Sequence, residues 1–262
     1  MEKLFSYYQN YSKDTRLVKD NAHKIEFITT TYVLDELINS NSKILDVGAG
    51  TGRYSIYYAE KGHAVYALEY VPHNLHIMQG KLNESNDKMN IQAALGDGRD
   101  LSRFEDESFD VVLCMGPFYH LSTDEDRRNC ISECLRVLKK DGVFALAYIN
   151  KYASFINQFK SDTDFIKDRA SKNIINLGHF YEDGSDNFYF ATPQEVVAIL
   201  LDYEIKIISH VATDGIGHMF KDTIEEFDDT EYQLWVDYHL STCKEPSILG
   251  YSLHGLLITR KG

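Results

Sequence analysis

The apolar positions of this chain fall into two rhythms that alternate along its length. Short runs rich in β-branched and apolar residues predict strands at Ile44–Val47, His63–Leu68, Asn90–Leu95, Phe109–Met115, Val143–Ile149, Glu204–Val211 and Gly255–Thr259. Between them, apolar residues at helical spacing predict helices. Ile25, Ile28, Tyr32, Val33, Leu34 and Leu37 give a helix over Asn21–Ile38 that packs on the sheet. Arg53–Lys61 reads as a helix stopped by Gly62, and Pro72 starts another at its first position. Ser122 with Glu125 forms a capping-box pattern for a helix reaching about Lys139. Thr192-Pro193-Gln194-Glu195 is a second such box, for Gln194–Leu201, and residues 223–243 form one further helix. Strand alternating with helix implies an α/β fold with a largely parallel sheet.

The alternation fails over residues 150–190, which are polar and rich in Phe and Tyr. An inserted helical region with a loop or hairpin at His179–Phe190 is expected there, over the C-terminal edge of the sheet. Its aromatics make a satellite core or wall a substrate pocket. Residues 1–21, with Tyr7, Tyr8 and Tyr11, predict a short helix and a loop.

The chemistry concentrates where the first strand meets glycines, in Asp46-Val47-Gly48-Ala49-Gly50-Thr51-Gly52. Glycines there permit positive φ and let a ligand approach the main chain. A dinucleotide fingerprint needs its third glycine one place later, where Arg53 stands, and no Lys-Ser or Lys-Thr follows as in a P-loop. Asp46, Gly48, Gly50 and Gly52 resemble, position by position, the first motif of the class I S-adenosylmethionine-dependent methyltransferases. An acid and backbone carbonyls suit a ligand end carrying an ammonium and a sulfonium.

Glu69 stands at the end of the second strand, about twenty residues beyond the loop, where an acid accepts both ribose hydroxyls. The resemblance implies the same role, with Ala49 and Tyr70 beside the cofactor. It also implies that Asp97 accepts from adenine N6 and that the Gly98 backbone donates to N1. Leu135-Arg136-Val137-Leu138-Lys139-Lys140-Asp141-Gly142 resembles the segment before strand five in small-molecule members. The family's fold is a Rossmann-like, doubly wound, seven-stranded sheet, mostly parallel, whose last strand enters antiparallel between strands five and six. One domain over 1–262 is expected, with 1–21 as an N-terminal lid and 150–190 as a cap.

Ligands of open α/β sheets lie at the topological switch point, here between strands one and four. Met115 to Leu121 therefore lines the methyl-transfer end. His120 is the candidate base, or a loop-fixing histidine, and Tyr119 orients substrate or packs. Phe118, Tyr11 and Arg16 are candidate substrate contacts. Gly116-Pro117-Phe118-Tyr119 departs from the Asn/Asp-Pro-Pro-Tyr/Phe motif of many enzymes that methylate amino groups of bases or glutamine.

Composition narrows the partners. A net charge of −13 argues against nucleic acid and an anionic membrane surface. No apolar run approaches the roughly 20 residues of a membrane span, and Met1-Glu2-Lys3-Leu4-Phe5 lacks a signal-peptide core. None of Cys114, Cys130, Cys134 and Cys243 forms a C-x-x-C pair; the second and third read as core fillers. His73 and His76 read as surface residues, so no metal is expected. The expectation is a cytoplasmic methyltransferase acting on a small molecule with S-adenosylmethionine. The alternatives are a cofactor-binding regulatory module of the same fold and a nicotinamide oxidoreductase, the latter disfavoured by Arg53.

Overall fold

The structure is a computed structural model that describes residues 5, 7, 8, 15–85 and 89–262. Helix α1 (Asn21–Asp35) precedes strand β1 (Lys43–Val47), and α2 (Arg53–Glu60) leads to β2 (Ala64–Glu69). Helix α3 (Pro72–Glu84), β3 (Ile91–Leu95), β4 (Phe109–Cys114), the one-turn α4 (Pro117–His120), α5 (Asp124–Val137) and β5 (Leu138–Asn150) follow. The sheet order is β3-β2-β1-β4-β5, continued by β8 (His254–Lys261) and β7 (Ile205–Ala212). Only β8 runs against the others, between β5 and β7. The strand order reverses between β1 and β4, as expected, so a crevice opens at their C-terminal ends.

Alternating side chains feed two cores, one on each face of the sheet. Leu45 and Val47 of β1 join Cys130, Ile131, Cys134 and Leu135 of α5. Ile44 points the other way, to Val33 and Leu34 of α1 and Tyr58 of α2. A third cluster surrounds Tyr119, Ile149, Ile174 and Phe190 and takes in Phe155, Phe165, Phe180 and Phe188, which makes the cap aromatics a satellite core.

The departures from expectation have local causes. An eighth strand, β6 (Phe190–Ala191), pairs with Ile149 and Asn150 of β5. The last β4–β5 pair is Cys114 with Leu146, so the longer β5 needs a new partner beyond it. Strand β5 starts at Leu138, which pairs with Phe109, so α5 ends at Val137. Thr123 caps α5, accepting from the Asp126 N–H at 3.1 Å, which shifts the cap by one residue from Ser122. The expected helix over 223–243 is two pieces, α9 (Lys221–Glu225) and α10 (Asp229–Thr242), because Asp228 forms a capping box with Glu231. The cap contains α6 (Lys151–Ser161) and α7 (Arg169–Leu177), the latter stopped by left-handed Gly178 (φ 73°). Residues 179–189 are a loop, and the Thr192 box opens α8 (Pro193–Leu200) as expected.

His210 of β7 faces Tyr148 of β5, with Nε2 2.9 Å from the hydroxyl. Burial pushes its protonation down to about 4 from an ordinary value of 6.5. The folded state thus prefers neutral His210, and the stability it contributes is complete above pH 6.5 and lost as pH falls toward 4. Urea titrations over that interval should show wild type losing up to about 3 kcal/mol more than His210→Gln.

Candidate functional site

The glycine loop is held from below and from the side. Gly48, Gly50 and Gly52 have φ of 74°, 60° and 88°, the left-handed region closed to most side chains. Gly48 and Ala49 donate to the Leu68 carbonyl at 2.8 and 3.0 Å, which ties the loop to the end of β2. Asp46 is buried, and its Oδ2 accepts from the Ser55 hydroxyl at 2.6 Å.

Glu69 completes this scaffold. Its Oε2 accepts from the Gly50 N–H at 2.7 Å; Oε1 accepts from the Val71 N–H at 2.8 Å and the Asn74 amide at 3.2 Å. The side chain is 4% exposed, so it is a buried brace as well as a group on the cavity wall. A carboxylate offers about four acceptor positions, and donors of the described residues use three.

A cavity of about 350 Å³ lies over the switch point. Gly48, Glu69, Tyr70, Asp97, Gly98 and His120 line it, as the sequence implied. Tyr8, Arg99, Asp126 and Gly184–Asn187 also line it and were not singled out. Arg99 forks onto Asp97, with Nη2 at 2.6 Å and Nε at 3.1 Å from Oδ2, and reaches Asp126 at 2.8 Å through Nη1. Hydrogen bonding to Arg99 holds the Asp126 carboxyl below its usual range. Asp97 therefore meets any further donor already paired with a guanidinium. Gly98 is small for a reason internal to the protein: a methyl there would sit 2.8 Å from Val47 and 3.1 Å from the Cys130 sulfur.

His120 joins Tyr8 to Asn187. Its Nδ1 donates to the Asn187 carbonyl at 2.8 Å, and its Nε2 lies 2.5 Å from the Tyr8 hydroxyl. A carbonyl only accepts, so the Asn187 bond places a proton on Nδ1. Phe5 stacks on Tyr70 at 5.3 Å, and Tyr7 meets Phe188 edge-on at 5.5 Å. Phe5, Tyr7 and Tyr8 thus meet Tyr70, Phe188 and His120 beside the cavity. Tyr11 lies outside the described residues.

Three other candidates turn away from the cavity. Phe118 is 1% exposed and packs in the core against Tyr189, because α4 turns it inward. Tyr119 is buried in the satellite core, and its hydroxyl donates to the Met115 carbonyl at 2.9 Å. Met115 packs on the α1 face of the sheet.

Arg16 belongs to a second polar centre. Its guanidinium forks onto Glu26, Nη1 to Oε2 at 2.6 Å and Nη2 to Oε1 at 2.7 Å. His254 Nδ1 lies 2.7 Å from Asp214 Oδ2 and 3.4 Å from Glu26 Oε2. Asp214 Oδ1 also accepts from the Ser252 hydroxyl at 2.7 Å. Burial opposes every charge here. Against it, His254 brings the Asp214 carboxyl well below its usual range, and Arg16 and then His254 lower that of Glu26. Glu26 and Asp214 raise His254 in turn. Tyr119 and Tyr54 also act on Arg16, which places the cluster beside α2 and the loop after β4. Helical spacing alone gave no sign of Glu26; Asp214 and His254 meet only because β7 and β8 pair.

Residues 45–146 match the family model described as a methyltransferase domain. The chain belongs to the class I S-adenosylmethionine-dependent methyltransferases. It is 25% identical to a glycine/sarcosine N-methyltransferase of Aphanothece halophytica, over 90% of this chain and 97% of that one. Its fold is similar to that of a SAM-dependent methyltransferase from Methanosarcina mazei, with TM-score 0.60, 18% identity and coverage of 87% and 96%. A putative sarcosine dimethylglycine methyltransferase from Galdieria sulphuraria gives TM-score 0.56, 19% identity and coverage of 91% and 85%. Among the described residues of this methyltransferase, no helix is long and apolar enough to cross a membrane.

Removing the Glu69 carboxylate leaves buried donors of Gly50, Val71 and Asn74 unpaired. A buried group left without its partner costs about 1–3 kcal/mol. Glu69→Ala should therefore lower the stability of the ligand-free protein by at least that amount in denaturant titrations. An unchanged midpoint would show that the brace carries no stability.

Proposed function

We propose that this methyltransferase binds S-adenosylmethionine along the cavity from Gly48 to Asp97 and methylates the nitrogen of a small amino acid. The observation that carries the acceptor class is the buried cluster of Arg16, Glu26, Asp214 and His254. Buried ionisable groups with shifted protonation mark functional sites more often than chance. Two carboxylates beside a guanidinium and an imidazole suit a zwitterion that exchanges with the internal Arg16–Glu26 and His254–Asp214 pairs: the guanidinium matches its carboxylate, and Glu26 and Asp214 match its ammonium. The similarity to a glycine/sarcosine N-methyltransferase over nearly the whole chain supports the same class.

When bound, S-adenosylmethionine supplies an electrophilic methyl, so the protein need not generate one. The residues of the chain bind, align and exclude water. Glu69 on the cavity wall accepts from a ribose hydroxyl, and the positive-φ loop gives the methionyl end close access to the main chain. Tyr8, His120 and Asn187 close the lid over the cavity. His120 acts there as a latch, since both ring nitrogens are used in joining the lid. The cluster around Arg16 would set the direction of the acceptor nitrogen; such alignment is worth up to ~7–11 kcal/mol in ideal cases.

Glycine, sarcosine and dimethylglycine, each incubated with S-adenosylmethionine, should yield products heavier by one methyl. Arg16→Lys keeps the charge and loses the fork. It should raise KM for the acceptor by about one to two decades, the value of roughly 1.5–3 kcal/mol of charged hydrogen bonding. Affinity for S-adenosylhomocysteine should stay within about threefold, since that ligand is held by the glycine loop and the cavity wall. Methylation of none of the three acceptors, or an unchanged KM, would overturn the acceptor assignment.

A further inference from the structure

Behind the cavity wall lies a group that methyl transfer does not use. Cys114 ends β4, and Cys130 and Cys134 lie one turn apart on α5. All three are free thiols, and their sulfurs lie within 4.8 Å of one another. They are 0%, 1% and 0% exposed. Three sulfurs at a metal–thiolate distance of about 2.3 Å from one ion stand about 4 Å apart in a trigonal plane. The triad is close to that arrangement already.

We propose that Cys114, Cys130 and Cys134 form a binding site for a soft monovalent cation, Cu(I), just beneath the cofactor cavity. The surroundings choose the ion. The neighbouring core side chains, among them Val47, Phe118, Leu135 and Leu146, are apolar, and among the described residues no further His, Cys or carboxylate joins the three thiols. Zinc in structural sites takes four ligands, whereas thiolates also select Cu(I). Cu(I) entering three thiols forms three Cu–S bonds and breaks three S–H bonds, and the three protons leave to solvent, since the thiolate is the metal ligand. No oxidant or reductant is required.

The position gives this site a consequence. A methyl on Gly98, which lines the cavity, would lie 3.1 Å from the Cys130 sulfur. Copper reaches the site from the cavity side, and a cofactor bound there blocks the way.

An anaerobic titration tests this, with Cu(I) supplied as its bicinchoninate complex and the loss of that complex's colour followed. The ligand-free protein should take one equivalent, and saturation with S-adenosylhomocysteine should slow uptake at least tenfold. Cys130→Ala should weaken uptake at least tenfold, while Cys243→Ala, at a separate buried cysteine, should not. X-ray absorption on the copper-loaded wild type should show three sulfurs at about 2.3 Å. It decides the matter if Cys130→Ala fails to fold. No uptake by the folded wild type, uptake unaffected by S-adenosylhomocysteine or by Cys130→Ala, or a copper with fewer than three sulfurs would each overturn the proposal.

Discussion

The grip of one buried carboxylate on three donors organises the catalytic edge of this molecule. Glu69 joins the glycine loop after β1, through Gly50, to the turn after β2, through Val71 and Asn74. A loop with three left-handed glycines has a large conformational entropy to lose on folding, and charged hydrogen bonds offset part of it. The crevice between β1 and β4 is open and shaped because those two strand ends are fixed against each other. The same acid also lines the cavity, so scaffold and cavity wall share a residue.

The four-membered cluster at the other end of the sheet edge is a different solution. Arg16, Glu26, His254 and Asp214 come from a loop, a helix, the start of β8 and the turn that follows β7. Burying four ionisable groups is expensive, and breaking any pair leaves an uncompensated charge. Apolar residues could fill that volume at lower cost, so retention of the charges needs another reason. Recognition of a ligand with matching charges provides one.

Much of the fold was legible because buried parallel strands are written as apolar runs, and β1, β2 and β4 are nearly all core. The glycine spacing and the acid after β2 marked the cofactor edge, since those positions obey local backbone rules. What the chain pattern did not disclose came from pairing across distance. Phe190–Ala191 is a strand only because β5 outruns β4. Phe118 and Tyr119 read as site residues by position, yet one tight turn aims both into packing. Among the described residues of the N-terminal segment, Tyr8 lines the cavity, in a stretch where several tyrosines looked alike. The brace formed by Glu69 was not legible because two of its partners are backbone N–H groups, which carry no sequence signature.

The central claim is that this edge recognises a sulfonium-type nucleoside and not a pyrophosphate dinucleotide. Calorimetric titration of the ligand-free protein with S-adenosylhomocysteine, and separately with NAD, tests it most directly. The account predicts one-to-one binding of S-adenosylhomocysteine and no measurable heat with NAD at the same concentration. Tighter binding of NAD, or no binding of S-adenosylhomocysteine, would contradict it.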